Sequence, residues 1–244
     1  MAGGWAVNEN RGILVGANER QEWLLAWWWD NYRRRNDYPV CFVDFGLSEK
    51  KKRWCKERGQ LISLRMPPLF VRDRGEVDGT LAEEWEKSFP DTFWESREAW
   101  FKKAQACLES PYDETIWIDL DCEIVKPLEG LWGQSERVAL AKDFSAISVD
   151  FPIYNSGVIV FQKNDPLIVE WAKQSIEKNA LFRGDQDVLS QIIADEKLPI
   201  HELDPMYNWS IGRGERKDVV IYHWLGDAAK SVLQNKLILA RLSV

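Results

Sequence analysis

The sequence predicts an α/β fold built on a mainly parallel sheet flanked by helices. Three features carry that expectation. Short apolar runs of strand length alternate with longer runs of helical period through the first half of the chain. Such alternation implies parallel strands joined by right-handed helical crossovers. The 244 residues, 45% of them hydrophobic, are enough for a sizeable core. No internal repeat or low-complexity linker divides them, so residues 1–244 are expected to form one domain.

The elements follow in order. Gly12–Gly16 is a short apolar run ending in turn-prone residues, the first expected strand. Arg20–Arg35 reads as a helix with Trp23, Leu24 and Trp27 on one face. Pro39–Phe45 is a second strand, and Ser48–Arg58 a helix with Ser48 as its N-cap. Gln60–Leu64 is a third strand. The stretch Met66–Pro90 holds adjacent prolines, two glycines and many charges, and reads as an irregular loop beside the ligand-binding edge. Trp94–Ser110 is a helix, and Thr115–Leu120 a strand that is apolar until Asp119. Later strands are expected at Val138–Ala141, Val158–Phe161 and Val219–Tyr222. Further helices are expected at Pro166–Lys178, Asp185–Ala194 and Ala228–Leu242.

Composition excludes several classes. A net charge of −7 gives no general attraction for nucleic acid. The densest cationic runs, Arg33 to Arg35 and Lys50 to Arg53, read as solvated helix faces. No apolar stretch approaches the roughly 20 residues that span a bilayer. Met1–Asn10 lacks a basic segment followed by an apolar run, which predicts no signal peptide. Cys41, Cys55, Cys107 and Cys122 form no close pair, so reduced thiols in a cytoplasmic protein are expected. Trp is abundant at 14 residues; most are read as core, the remainder as faces on which a sugar ring can pack.

The chemistry centres on Asp119 and Asp121, which close the apolar run Ile116, Trp117, Ile118. In open α/β sheets ligands bind at the carboxyl ends of strands. Two carboxylates there repel each other and lose hydration unless a cation meets them. A divalent ion, Mn²⁺ or Mg²⁺, satisfies that need and can hold a diphosphate. An ordinary helix cap or surface turn also accommodates such a pair. Further motifs follow: Tyr154-Asn-Ser-Gly157, Gly184-Asp-Gln-Asp187, Leu203-Asp-Pro-Met-Tyr-Asn208 and Tyr222-His-Trp-Leu-Gly226.

In order and spacing this set resembles the retaining glycosyltransferase family that contains glycogenin and the bacterial lipopolysaccharide glucosyl- and galactosyltransferases. The likeness runs from about Gly12 to Lys230. It implies a GT-A fold (a Rossmann-like nucleotide-diphospho-sugar transferase fold), a UDP-sugar donor, Mn²⁺ or Mg²⁺, and a carbohydrate or protein hydroxyl as acceptor. It implies that Asp119, Asp121 and His223 hold the metal. It puts Ala17 and Asn18 at the base and ribose, Lys102 (with Lys103 as the adjacent candidate) and Asn155 near the donor, and Gly226 and Lys230 at the diphosphate. Asp185 and Gln186 match the pair near the anomeric carbon, and Asp187 and Asn208 are expected at the substrate. Gly184-Asp-Gln-Asp also suits a helix N-terminus. Lys230 comes one residue later than the family's lysine, with Ala229 in its place, and Asp227 adds a negative charge beside it. Two other readings remain at this point: a haloacid-dehalogenase-type phosphohydrolase, whose strand also ends Asp-x-Asp, and a non-catalytic carbohydrate-binding protein.

Overall fold

Strand β1 (Arg11–Ala17) is apolar on both faces after Arg11 and lies third in a seven-stranded sheet. The computed structural model describes residues 10–67, 70–88, 93–144 and 150–242, with the side chains of 88 and 240–242 omitted. The N-terminal stretch before Asn10 lies outside them. Helix α1 (Leu25–Arg33) leads to β2 (Val40–Asp44), and α2 (Glu49–Lys56) to β3 (Gln60–Ser63). Ser48 caps α2 by accepting from Lys51 N at 3.4 Å. Helices α3 (Gly79–Ser88) and α4 (Phe93–Leu108) precede β4 (Glu114–Ile118) and the short β5 (Cys122–Ile124). Then come β6 (Ala139–Lys142), β7 (Tyr154–Gln162), α5 (Pro166–Glu177), α6 (Asp185–Glu196) and β8 (His201–Glu202). The chain closes with β9 (Trp209–Ser210), β10 (Ile221–His223) and α7 (Asp227–Leu242).

The large sheet has the order β3-β2-β1-β4-β7-β6-β8. Neighbours pair in parallel except around β7, which is antiparallel to both β4 and β6. The sheet is therefore mixed and mainly parallel. Side chains alternate across it, as strand geometry requires. Ile13, Ile116, Ile118, Val158 and Val160 enter the core on one face. Leu14, Trp117, Ile159 and Phe161 enter the core on the other, under α4, α5 and α6. Such two-sided burial is why these strands read as continuous apolar runs. All four cysteines are buried free thiols. Among the described residues no helix is long and apolar enough to cross a membrane.

One expectation is corrected. The expected loop Met66–Pro90 contains α3, although residues 68–69 and 89–92 lie outside the described residues. Asp78 starts the helix by accepting from Thr80 N at 2.9 Å. Ala82 and Trp85 then pack with Val77 and Phe93 in a small separate core, with Leu81 against it. Dense charge on the other faces hid this narrow apolar stripe. Within the stretch, no described residue lines the cleft at the carboxyl ends of the strands.

The order of strands reverses between β1 and β4: from β1 the chain runs outward through β2 to β3, then returns by way of α3 and α4 to β4 on the other side of β1. A crevice opens at the carboxyl ends of strands at such a point. A second, three-stranded sheet, β5-β10-β9, sits beside it. There Cys122 pairs with His223, and His223 with Ser210.

Candidate functional site

A cleft of about 640 Å³ occupies that crevice. Its walls are Asn18, Gln21 and Trp23 after β1; Phe93, Ser96, Trp100 and Lys103 on α4; Asp119 and Asp121 beyond β4; Asp143 after β6; Asn155, Ser156 and Gly157 on β7; Arg183 to Asp187 at the start of α6; and His223, Leu225, Gly226, Asp227 and Lys230. The structure thus brings together most of the residues singled out in the sequence. Ala17 is buried at the end of β1, its carbonyl accepting from Phe45 N at 3.0 Å, and it does not line the cleft. Asn208 is buried behind His223.

Lys102 departs from expectation. Its Nζ lies 3.0 Å from the Phe45 carbonyl and pairs with Glu98, off the cleft. Its neighbour Lys103 enters the cleft instead. Helical phase decides this: Phe93, Ser96, Trp100 and Lys103 recur at spacings of three and four and share one face of α4. That stripe was present in the sequence and could have selected Lys103 over Lys102.

Asp119 is held in place from several sides. Its N–H donates to the Gly157 carbonyl at 2.8 Å. Trp117 Nε1 donates to its Oδ1 at 2.7 Å and Lys103 Nζ to its Oδ2 at 3.0 Å. Lys103 Nζ also donates to Ser156 Oγ at 3.0 Å and lies 3.4 Å from Asp185 Oδ2. Burial disfavours the Lys103 charge, but Asp119 and Asp185 outweigh it and hold the ammonium firmly protonated. Ser156 Oγ donates onward to Asp185 Oδ2 at 2.8 Å. Burial pushes the Asp185 carboxyl up, with Lys103 opposing. Asp187 also titrates high through burial, while Gly184 N donates to it at 3.1 Å and Arg183 pairs with it at 3.2 Å. Gln186 Nε2 donates to Asp143 Oδ2 at 3.1 Å.

Asp121 faces a different set. Its Oδ1 is 3.3 Å from His223 Nε2 and its Oδ2 is 2.9 Å from Lys230 Nζ. Burial alone would raise its pKa; the Lys230 ammonium, with the His223 ring also facing the carboxyl, overcomes that and holds it well below the usual range. Lys230 is on the first turn of α7, directly after Gly226 at φ +86. The one-residue displacement noted in the sequence thus still leaves its ammonium in the cleft.

The donor set can be weighed for a metal. Asp121, Cys122 and His223 present ligand atoms within 4.8 Å of one another, and Asp119 is not in that close group. The Cys122 thiol belongs to the core, and burial pushes its pKa well up, so it stays protonated unless a metal displaces the proton. A carboxylate facing an imidazole in a buried setting suits a divalent ion with tolerance for nitrogen, which fits Mn²⁺ better than Mg²⁺. Asp119, engaged with Lys103 and Trp117, lines the same cleft.

No family model matches the chain, and no curated protein matches it in sequence. Its fold, however, is that of solved glycosyltransferases. The galactosyltransferase LgtC, in complex with donor and acceptor sugar analogues, superposes with a TM-score of 0.64 at 13% identity, covering 89% of this chain and 88% of LgtC. Mouse xyloside xylosyltransferase 1 gives 0.55 at 15% identity over 87% of this chain and 96% of its own. The glycosyltransferase GlyE of Streptococcus pneumoniae gives 0.57 at 15% identity, covering 89% of this chain and 55% of that one. At these identities the likeness establishes a GT-A type of fold.

Proposed function

We propose that this chain is a single-domain, metal-dependent glycosyltransferase that moves a hexose from a UDP-sugar to a hydroxyl acceptor with retention of configuration. The observation that carries the proposal is the arrangement across the cleft. Asp121, His223 and Lys230 form one cluster, Asp185 and Gln186 face the same space from the start of α6, and all lie at the switch point of the sheet. The resemblance of the motifs to retaining enzymes supports the stereochemistry, and the four buried free thiols are consistent with a cytoplasmic protein.

Asp121 and His223, with Asp119 beside them, are the residues to hold Mn²⁺, or Mg²⁺ in its place. Such an ion would neutralise charge on the leaving nucleoside diphosphate. Lys230 supplies a second positive charge on the same wall, and backbone N–H groups after Gly226 and at the start of α6 favour anions. Across the cleft, Asp185 and Gln186 offer a carboxylate and an amide to the sugar as positive charge develops on it. Lys103 and Ser156 fix the Asp185 carboxyl in direction and oppose the effect of its burial. Trp23 and Trp100 give the cleft apolar faces against which base or sugar rings can pack.

The test is release of UDP from a panel of UDP-sugars, with and without Mn²⁺ and without acceptor. A transferase hydrolyses its donor slowly under these conditions. A chain that binds donor, seen as a rise in melting temperature, yet releases no UDP would be a binding protein. Absence of any binding or turnover across the panel would refute the proposal.

A further inference from the structure

We propose that Asn155 and Asn208 are positioning residues that keep the proton of the neutral His223 ring on Nδ1 and so leave Nε2 bare toward the cleft. The two asparagines and the histidine are buried, at 5%, 8% and 3% exposure, so each polar atom must find its partner within the protein. Amide and imidazole orientations are set by such networks, and here the network has a fixed starting point.

That starting point is the Gly157 N–H, which can only donate. It meets Asn155 at 2.8 Å, so the Asn155 atom there is the carbonyl Oδ1. The other Asn155 amide atom lies 3.2 Å from Asp143 Oδ2, an acceptor, and is therefore Nδ2. Asn155 Oδ1 is also 2.8 Å from Asn208, which must present Nδ2. Asn208 Oδ1 is left facing His223 Nδ1 at 2.9 Å, so Nδ1 carries the hydrogen. Flipping Asn208 would set two oxygens against each other at Asn155. Flipping Asn155 as well would set an NH₂ group against the Gly157 N–H and an oxygen against Asp143.

The relay works against a competitor. Asp121 Oδ1 lies 3.3 Å from His223 Nε2 and would by itself draw the proton to that nitrogen. A ring protonated on Nε2 has no lone pair for a metal on the cleft side. With Nδ1–H committed to Asn208, Nε2 and Asp121 Oδ1 are two acceptors face to face, a pair that a cation between them satisfies. Histidine ligands elsewhere are oriented by the partner of the second ring nitrogen in this way. In this chain the relay extends to Asp143 and, through it, to Gln186, whose Nε2 donates to the same Oδ2 at 3.1 Å.

The metal role of His223 belongs to the proposed function, but the tautomer can be read without it. Long-range ¹H–¹⁵N spectra of the ¹⁵N-labelled, metal-free full chain, under alkaline conditions, resolve two rings, with exposed His201 as internal reference. The expected pattern for His223 is a protonated Nδ1 and a bare Nε2. The reverse pattern in the wild-type chain overturns the proposal, whatever the chain's activity. Asn208→Leu is expected to move the proton to Nε2 and to weaken Mn²⁺ binding, followed by electron paramagnetic resonance, by about 10- to 100-fold. A folded Asn208→Leu variant with both tautomer and Mn²⁺ affinity unchanged also overturns it. If Asn208→Leu does not fold, the wild-type spectrum decides. A wild-type chain that shows the Nδ1–H ring but binds no Mn²⁺ would refute the metal and leave the relay standing.

Discussion

Adding a single methyl group at Gly157 is expected to damage the metal side of the cleft far more than the fold. A Cβ built there lies 2.4 Å from His223 Cε1, 2.7 Å from its Nδ1 and 2.8 Å from Asn155 Oδ1. The backbone cannot yield easily. Gly157 sits within β7, its carbonyl accepts from Asp119 N at 2.8 Å, and its N–H donates to Asn155 at 2.8 Å. Relief must come from the imidazole, which has to retreat by about 1 Å to reach an ordinary contact of carbon against carbon. Overpacking of that size costs about 1–3 kcal/mol, or a melting temperature lower by roughly 2–12 °C in a domain of this length. The ring that moves is the one whose Nε2 faces Asp121 at 3.3 Å. A displaced ligand with a disturbed partner lowers metal affinity by about 10- to 100-fold. Calorimetric melting and Mn²⁺ titration of Gly157→Ala check both parts. A variant that binds Mn²⁺ like the wild type would refute the placement of His223 beside the metal, and one that fails to fold would show the strain to be larger than one overpacked contact.

Lys103→Met is expected to lose about 3–5 kcal/mol of stability, because it leaves the buried Asp185 and the half-buried Asp119 without their counter-ion, whereas Lys102→Met should change stability by less than about 1 kcal/mol; equal effects in urea unfolding would contradict the assignment of Lys103 to the cleft. Acid lability should follow Asp121. Its pKa is depressed in the folded chain, so its contribution is complete above the unfolded value of about 4 and is lost as pH falls below that; Asp121→Asn should flatten the acid limb of a stability–pH curve, and an unchanged slope would count against it. Asp185 has the opposite sign. Its raised pKa means the ionised carboxylate weakens the fold above that pKa, so Asp185→Asn should gain stability relative to wild type as pH rises, while losing transfer; full transfer in that variant would remove Asp185 from the mechanism. Lys230→Met should weaken UDP-sugar binding by roughly 1.5–3 kcal/mol, the scale of a charged hydrogen bond, without weakening Mn²⁺ binding in the absence of donor; isothermal titration with each ligand tests this, and loss of Mn²⁺ alone would invert the role given to Lys230.

The sequence carried the sheet and the positions of its ends because strand burial leaves a local mark. Ile116, Trp117 and Ile118 are buried on both faces of a mainly parallel sheet, so the run reads as unbroken apolar residues, and Asp119 and Asp121 stand out as carboxylates where that run ends. The ends of α2 and α6 were legible for the same local reason, in Ser48 and in the acidic first turn Asp185 to Asp187. Helix α3 was missed because its core contact is narrow, essentially Ala82 and Trp85, within a segment whose charge and glycines resemble a loop.

What sequence alone determined about this protein is therefore the content of the site: two aspartates at a strand end, a histidine after a late apolar run, and an Asp-Gln pair opening a helix. These depend on neighbours in the chain, whose spacing is visible. Tertiary structure decided which of these groups face one another. Cys122 and His223 pair across β5 and β10, which brings His223 to Asp121, and nothing local specifies that pairing. The reversal of β7 between β4 and β6 carries Asn155 and Gly157 to the same place. The choice of Lys103 over Lys102 turned on about 100° of helical rotation, set by how α4 packs on the sheet. Asn208 moved from an expected substrate contact to the back of His223 because long-range burial, unlike residue type, is a property of the folded chain only.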